Sequence, residues 1–290
     1  MVIEWIDAVT ALRVGLVYAL LALAYFLFAR TTDTINFAVG GYAMAAAMLY
    51  ATLTGHGMPP VSALVVAVAL GAVLGTVTEL FVVRPIASKG RDEFVVVLAI
   101  TALLFVIQQL AGVFFGRRAI IGDPLRSGDL VVAGHAVSLQ DLLTIIGALA
   151  AAVVVGLWVA RGRSGRMMRA IGDNEDAGRT LGIPVRRIRL LAASVGGLLA
   201  GLAGALTAPQ AGNSFHSGVS LSIVGFIALV IGGMGSPYAP LIGGVLLSFL
   251  ELGTSLVFGS TSRDYFLLAA VLLVFIARPE GLFSLKVRTT

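Results

Sequence analysis

An all-α integral membrane bundle with eight or nine transmembrane segments is the fold class this sequence predicts, and three observations predict it. Of 290 residues, 58% are hydrophobic and 12% are charged, with a mean hydropathy of +1.00, whereas soluble domains run near half apolar and a quarter charged. The apolar residues fall in runs close to the roughly 20 that a spanning helix needs. The basic residues gather in the short gaps between those runs, which is how a membrane protein sets its orientation. The 35 glycines and nine prolines follow no collagen period. Membrane helices tolerate both better than soluble ones do, and disorder and fibres are excluded.

Nine segments qualify in order: 12–29, 35–53, 60–83, 94–115, 139–160, 190–208, 219–234, 238–258 and 264–277. Glu4 and Asp7 precede the first, with only Arg13 for positive charge, the opposite of a signal peptide's basic leader, so it reads as a retained helix. The second is interrupted by Gly40 and Gly41, the seventh runs into Gly232, Gly233, Gly235 and Pro237, and the last is short; eight or nine crossings follow. With nine, the gaps at 30–34, 84–93, 161–189 and 278–290 share one side and hold 15 of the 20 basic residues. The positive-inside rule then puts the N-terminus outside and the C-terminus in the cytoplasm. The gap at 116–138 becomes external, and its stretch 131–137, alternating around Gly134, reads as a short hairpin. No polar stretch is long enough for a soluble domain, so residues 1–290 read as one transmembrane domain with a cytoplasmic loop at 161–189. A pI near 10 is therefore no sign of nucleic-acid binding, which needs a basic face on a water-exposed fold. The absence of cysteine removes disulfides, thiolate metal sites and cysteine nucleophiles.

The loop at 161–189 carries eight arginines and three acids, Asp173, Glu175 and Asp176. Within it, 173–184 reads as a short helix with both ends specified. Asp173 caps the first N–H groups, and Glu175 and Asp176 occupy the turn where the helix dipole favours negative charge. Gly182 supplies the left-handed residue that ends a helix, Ile183 folds back, and Pro184 prevents continuation. A helix this short is unstable alone because nucleation is costly. It needs a surface: a partner protein, the bilayer, or its own bundle.

The run Asp176-Ala177-Gly178-Arg179-Thr180-Leu181-Gly182 resembles the EAA loop of ABC importer permeases, an acidic-Ala-small run with a glycine four positions after the small residue. Gly165-Arg166-Met167-Met168-Arg169-Ala170-Ile171 and Leu181-Gly182-Ile183-Pro184-Val185 resemble branched-chain amino acid permeases of the LivH/LivM type. So do Ile35-Asn36-Phe37-Ala38 before Gly40, Gly196-Gly197 with Gly201-Leu202-Ala203-Gly204, Gly232-Gly233-Met234-Gly235-Ser236, and Arg278-Pro279-Glu280-Gly281-Leu282-Phe283. The resemblance covers nearly the whole chain. Asp176 and Gly178 stand where the family commonly has Glu and Ala, and Val39-Gly40 where it often has His-Gly; the second departure bears on which solute the pore accepts.

That resemblance implies a permease of a bacterial inner membrane, importing branched-chain or other hydrophobic amino acids. It implies partners: two ATP-binding cassette subunits, a second permease related or identical, and an external solute-binding protein. The ATPase would receive Asp173, Glu175, Asp176, Ala177, Gly178, Arg179, Leu181 and Gly182 in a cleft. Arg166, Arg169, Arg179, Arg186 and Arg187 would pair with acids on that ATPase or with anionic lipid. The chain has no GxxxxGK[ST] and no acidic site for a nucleotide-bound magnesium, so it is not its own motor. No catalytic residue, metal or cofactor is expected in it.

Gly- or Pro-interrupted segments point to a transporter's central path, and Thr34, Asn36, Gly40 and Gly41 lie in one such segment. They offer hydrogen bonds to a passing amino acid; alternatively Asn36 caps a helix and the glycines allow close helix contact. Gly71 with Gly75, Gly197 with Gly201, and Gly243 with Gly244 read as packing. Glu79 reads as an ion-pair partner of Arg84, and Glu251 as a structural partner, with Arg13 the candidate. Gln108 and Gln109 offer interhelical hydrogen bonds. Rival readings are the same architecture carrying urea or a short amide, and an ion-coupled carrier working alone. An intramembrane enzyme would show HExxH, GxSxG or paired membrane-centre aspartates, and none occurs.

Overall fold

Helix α1 (Trp5–Thr32) is apolar on every side, and almost every residue from Gly15 to Ala29 is buried, the condition of a helix at the centre of a bundle rather than on its lipid face. The computed structural model describes residues 5–32, 34–90, 93–132, 135–259 and 269. After α1 come α2 (Val39–Gly55) and α3 (Pro60–Thr78), which continues without a break through a π-helical turn at Glu79–Val83 into α4 (Arg84–Ala87). Then follow α5 (Glu93–Phe114), strands β1 (Asp129–Val132) and β2 (His135–Ser138), and α6 (Leu139–Arg161). The arginine-rich loop folds as α7 (Arg163–Asp173) and α8 (Glu175–Thr180), and α9 (Val185–Thr207), α10 (Ser217–Gly232) and α11 (Ala239–Phe258) complete the described chain. Among the described residues six helical stretches are long and apolar enough to cross a membrane.

Helices α9, α10 and α11 pack around α1, while α2 lies between α3, α9 and α10. Among the described residues the most extensive helix–helix contact joins α3 to α9. A methyl group at Gly71 would strike the backbone of Gly197 and Gly201, and one at Gly75 would strike that of Ala193. Two Gly-x-x-x-Gly pairs therefore bring two backbones together, the packing expected from small residues in membrane helices. Gly243 meets the backbone of Ala228 and Gly232, and Gly244 that of Ala19, so these too are packing positions. The outward faces of α3, α5 and α6 carry exposed Val73, Phe105, Val113 and Val154, as lipid-facing helices do.

The doubtful second segment is a continuous helix from Val39. Gly40 and Gly41 lie inside it because α10 and α5 press against α2 there and leave no room for a side chain. The hairpin is present: Leu130 pairs with Val137 and Val131 with Ala136, antiparallel. Apart from residue 269, the ninth segment, 264–277, and the motif beginning at Arg278 lie outside the described residues.

Two intramembrane pairings differ from expectation. Arg13 on α1 meets Asp141 in the first turn of α6 at 3.3 Å, while Glu251 on α11 accepts a hydrogen bond from Tyr18 at 3.1 Å. Position along α1 decides this, since Tyr18 lies more than a turn further along α1 than Arg13. Glu79 is 3% exposed but forms no ion pair with Arg84; it heads the π turn, and its Oε2 has no hydrogen-bond partner among the described residues. Gln108 does donate across helices, to the His216 carbonyl at 3.4 Å, whereas Gln109 is exposed.

Candidate functional site

The arginine-rich loop is anchored to the bundle before it presents anything outward. Helix α7 forms where the sequence reads as loop, although Gly165, Met168 and Ile171 recur every three residues between arginines and form its buried face, the pattern of an amphipathic helix. Arg169 donates to the carbonyls of Val159 and Ala160 and so closes the end of α6; Arg166 donates to the Arg161 carbonyl. These two guanidinium groups are thus engaged within the chain. At its far end α7 abuts α1: Gly172 packs on the Arg30 backbone, and Arg30 lies 3.6 Å from Asp173.

This contact moves the expected cap by one residue. Asp173 is the last residue of α7, and the cap of α8 is Asn174, extended at φ −161° and ψ 108°, whose Oδ1 accepts from the Ala177 N–H at 2.9 Å. Packing against α1 carries helix α7 one position further than the local sequence dictates. The other end of α8 is as expected. Gly182 has φ +75°, the Gly182 N–H donates to the Arg179 carbonyl, and the Ile183 N–H donates to the Gly178 carbonyl, both at 3.0 Å. These two bonds are the Schellman closure of a helix. Gly178 is buried against Ile171 and Ile183, so α8 has an inner side.

Its outer side consists of Asp176, Ala177, Arg179, Thr180 and Leu181, all exposed, with Leu181 at 79%. Glu175 is turned the other way and bridges two arginines, Arg179 four residues on and Arg189 in α9, at 2.5 Å each. Arg189 also donates to the Thr31 carbonyl at 2.8 Å, so one side chain ties α8 to the ends of both α9 and α1. Helix α8 and the end of α1 are therefore linked through the Arg189 side chain.

Beyond Thr31 the chain enters the joint between α1 and α2. Thr34 donates to the Thr32 hydroxyl at 2.9 Å. Asn36, 1% exposed, accepts from the Ala38 N–H at 3.0 Å and donates to the Tyr42 hydroxyl at 3.2 Å, and Tyr42 donates to Thr78 at 2.6 Å. The Ala38 N–H of this irregular stretch is thereby satisfied from within the protein, as buried backbone must be at membrane depth. Gly40 faces Gly218 and Ser222 of α10, and Gly41 faces Leu104 of α5.

A cavity of about 1080 Å³ opens between the end of α3 and the start of α9. Glu79, Arg84, Arg179, Arg186, Arg187 and Arg189 supply its charge, and Leu80 and Ile183 part of its apolar wall. The described residues hold no group of three His, Asp or Glu side chains placed to bind a metal ion.

A family model described as branched-chain amino acid transport system / permease component matches residues 8–276. The chain belongs to that family. It is therefore a multi-pass membrane permease, as the loop and glycine motifs suggested. The permease protein LivH of the high-affinity branched-chain amino acid transport system of Escherichia coli is 26% identical over 286 residues, covering 93% of this chain and 92% of its own length. The ribose import permease protein RbsC of Escherichia coli is 28% identical over 260 residues, covering 84% and 76%. Among solved structures, PsaBC from Streptococcus pneumoniae in complex with Fab superposes with a TM-score of 0.52 at 13% identity, over 93% of this chain and 91% of that one. That likeness is one of fold.

Proposed function

We propose that this chain is the membrane-spanning subunit of an ATP-driven importer in a bacterial inner membrane, carrying branched-chain or other hydrophobic amino acids handed over by a solute-binding protein. The observation that carries the reading is α8: a helix fixed at both ends by its own sequence, held to α1 and α9 through Glu175 and Arg189, and presenting Asp176, Ala177, Arg179 and Leu181 outward. A surface of this kind suits a cleft on a separate ATPase, with one ATPase beneath each of two permease subunits. ATP hydrolysis belongs to those subunits. Closure of the ATPases would push α8, and the Glu175–Arg189–Thr31 contacts would pass that push to the end of α1. The solute path would run beside the α1–α2 joint, with Thr34, Asn36, Gly40 and Gly41 packed behind its wall and fixing its shape.

The relatives' names support an amino acid first, since LivH matches over nearly its full length; a polar solute is the alternative that RbsC favours. Proteoliposomes holding the permease, its ATPases and its binding protein test the reading. Labelled leucine should accumulate only with ATP, and excess isoleucine or valine should compete while ribose and urea should not. Uptake driven by an ion gradient without any ATPase would overturn it. Competition by ribose or urea alone would replace the solute and keep the importer.

A further inference from the structure

We infer that the cavity between α3 and α9 binds the headgroup of an anionic phospholipid. Five guanidinium groups border it against one carboxylate, Glu79. Arg179 and Arg189 are held by Glu175, whereas Arg84, Arg186 and Arg187 are exposed and form no ion pair or side-chain hydrogen bond with any described residue. Three unpaired cations therefore converge on one space.

Helix geometry sharpens the imbalance. Arg186 and Arg187 occupy the first turn of α9, which contains no acidic residue. The helix dipole there is positive and disfavours cations, so an anion between these side chains would relieve both the dipole and their mutual repulsion. Phosphate oxygens match the planar fork of arginine, which can hold them bidentately.

The position selects a lipid over a protein acid. Val73, Val77 and Phe81 lie four residues apart on α3 and its π turn and are exposed by 55%, 39% and 73%, a stripe suited to acyl chains. Leu80, next to Phe81, lines the cavity. An apolar stripe thus runs directly into an arginine-lined recess, the arrangement by which basic pockets between membrane helices hold charged headgroups. Binding of this kind needs no ATPase, so it stands or falls apart from the transport reading.

Native mass spectrometry of the full-length chain in mild detergent tests it, titrated with phosphatidylglycerol or with phosphatidylcholine. Phosphatidylglycerol should remain bound and phosphatidylcholine should not. Occupancy should fall at least about tenfold in R84Q/R186Q/R187Q and be unchanged in R117Q/R118Q, which removes exposed arginines close in sequence to Ile120, whose bridge to Asn213 lies beyond the opposite end of α9 from the cavity. Inorganic phosphate at the same concentration should not displace the lipid; full displacement would show a free-phosphate site and overturn the inference. A diazirine-bearing phosphatidylglycerol needs no variant. In the wild-type chain it should crosslink to 79–89 and 183–189, and crosslinks confined to other segments would overturn the inference. So would a triple variant that keeps its lipid but loses a co-purifying ATPase, since the arginines would then meet protein.

Discussion

At Gly178 an added methyl group would find ordinary contact with Ile171 at 3.7 Å and Ile183 at 3.8 Å. Alanine exceeds glycine in helix propensity by about 1 kcal/mol, so Gly178→Ala should strengthen α8, read as slower amide hydrogen exchange across 175–181. Gly182 is the opposite case. Space around it is open, but φ is +75°, a conformation costing an L-residue about 1–2 kcal/mol. Gly182→Val should fray α8 and reduce ATPase co-purification, and unchanged exchange and assembly would show that the closure is dispensable. Tyr42→Phe would leave Thr78 and Asn36 each short of a partner, at a cost of about 1–3 kcal/mol, seen as a lower Tm in detergent. Gly182 was legible because left-handed backbone is a local demand. The role of Glu175 was not, because Arg189 lies 14 residues away and nothing in the spacing of residues reveals which arginine a carboxylate will meet.

Elements were legible where periodicity or composition is local, and shifted where packing overrides it. The apolar runs marked the long helices, and alternation around Gly134 marked the hairpin, whose strands pair as Asp129 with Ser138 at one end and Val132 with His135 at the other. Gly40 and Gly41 weakened the case for α2 because glycine disfavours an isolated helix; contact with α10 and α5 reverses that. Asp173 lost its capping role to Asn174 because α7 gains by packing on α1. The contact between α3 and α9 yields a direct prediction. Gly71→Leu has to separate two backbones, and overpacking on this scale costs about 1–3 kcal/mol or more, so expression of folded protein and Tm should both fall. Gly55→Ala, with nothing within 4 Å, should leave both unchanged. Equal effects of the two would mean that α3 and α9 do not approach this closely.

For the whole molecule, burial and charge divide the labour. A core helix, α1, is surrounded by others, and its Thr31 end is held by Arg189, which also holds Glu175 of α8. Movement of α8 would therefore reach the centre of the bundle without crossing the lipid face. The most direct measurement uses the absence of cysteine from the natural sequence. A single Thr180→Cys, at an exposed position of α8, is treated with a membrane-impermeant maleimide in intact cells and in inverted vesicles, with and without the ATPase subunits. Labelling is expected in inverted vesicles alone, with protection when the ATPase is bound. Labelling of intact cells, or equal labelling with and without the ATPase, would contradict it.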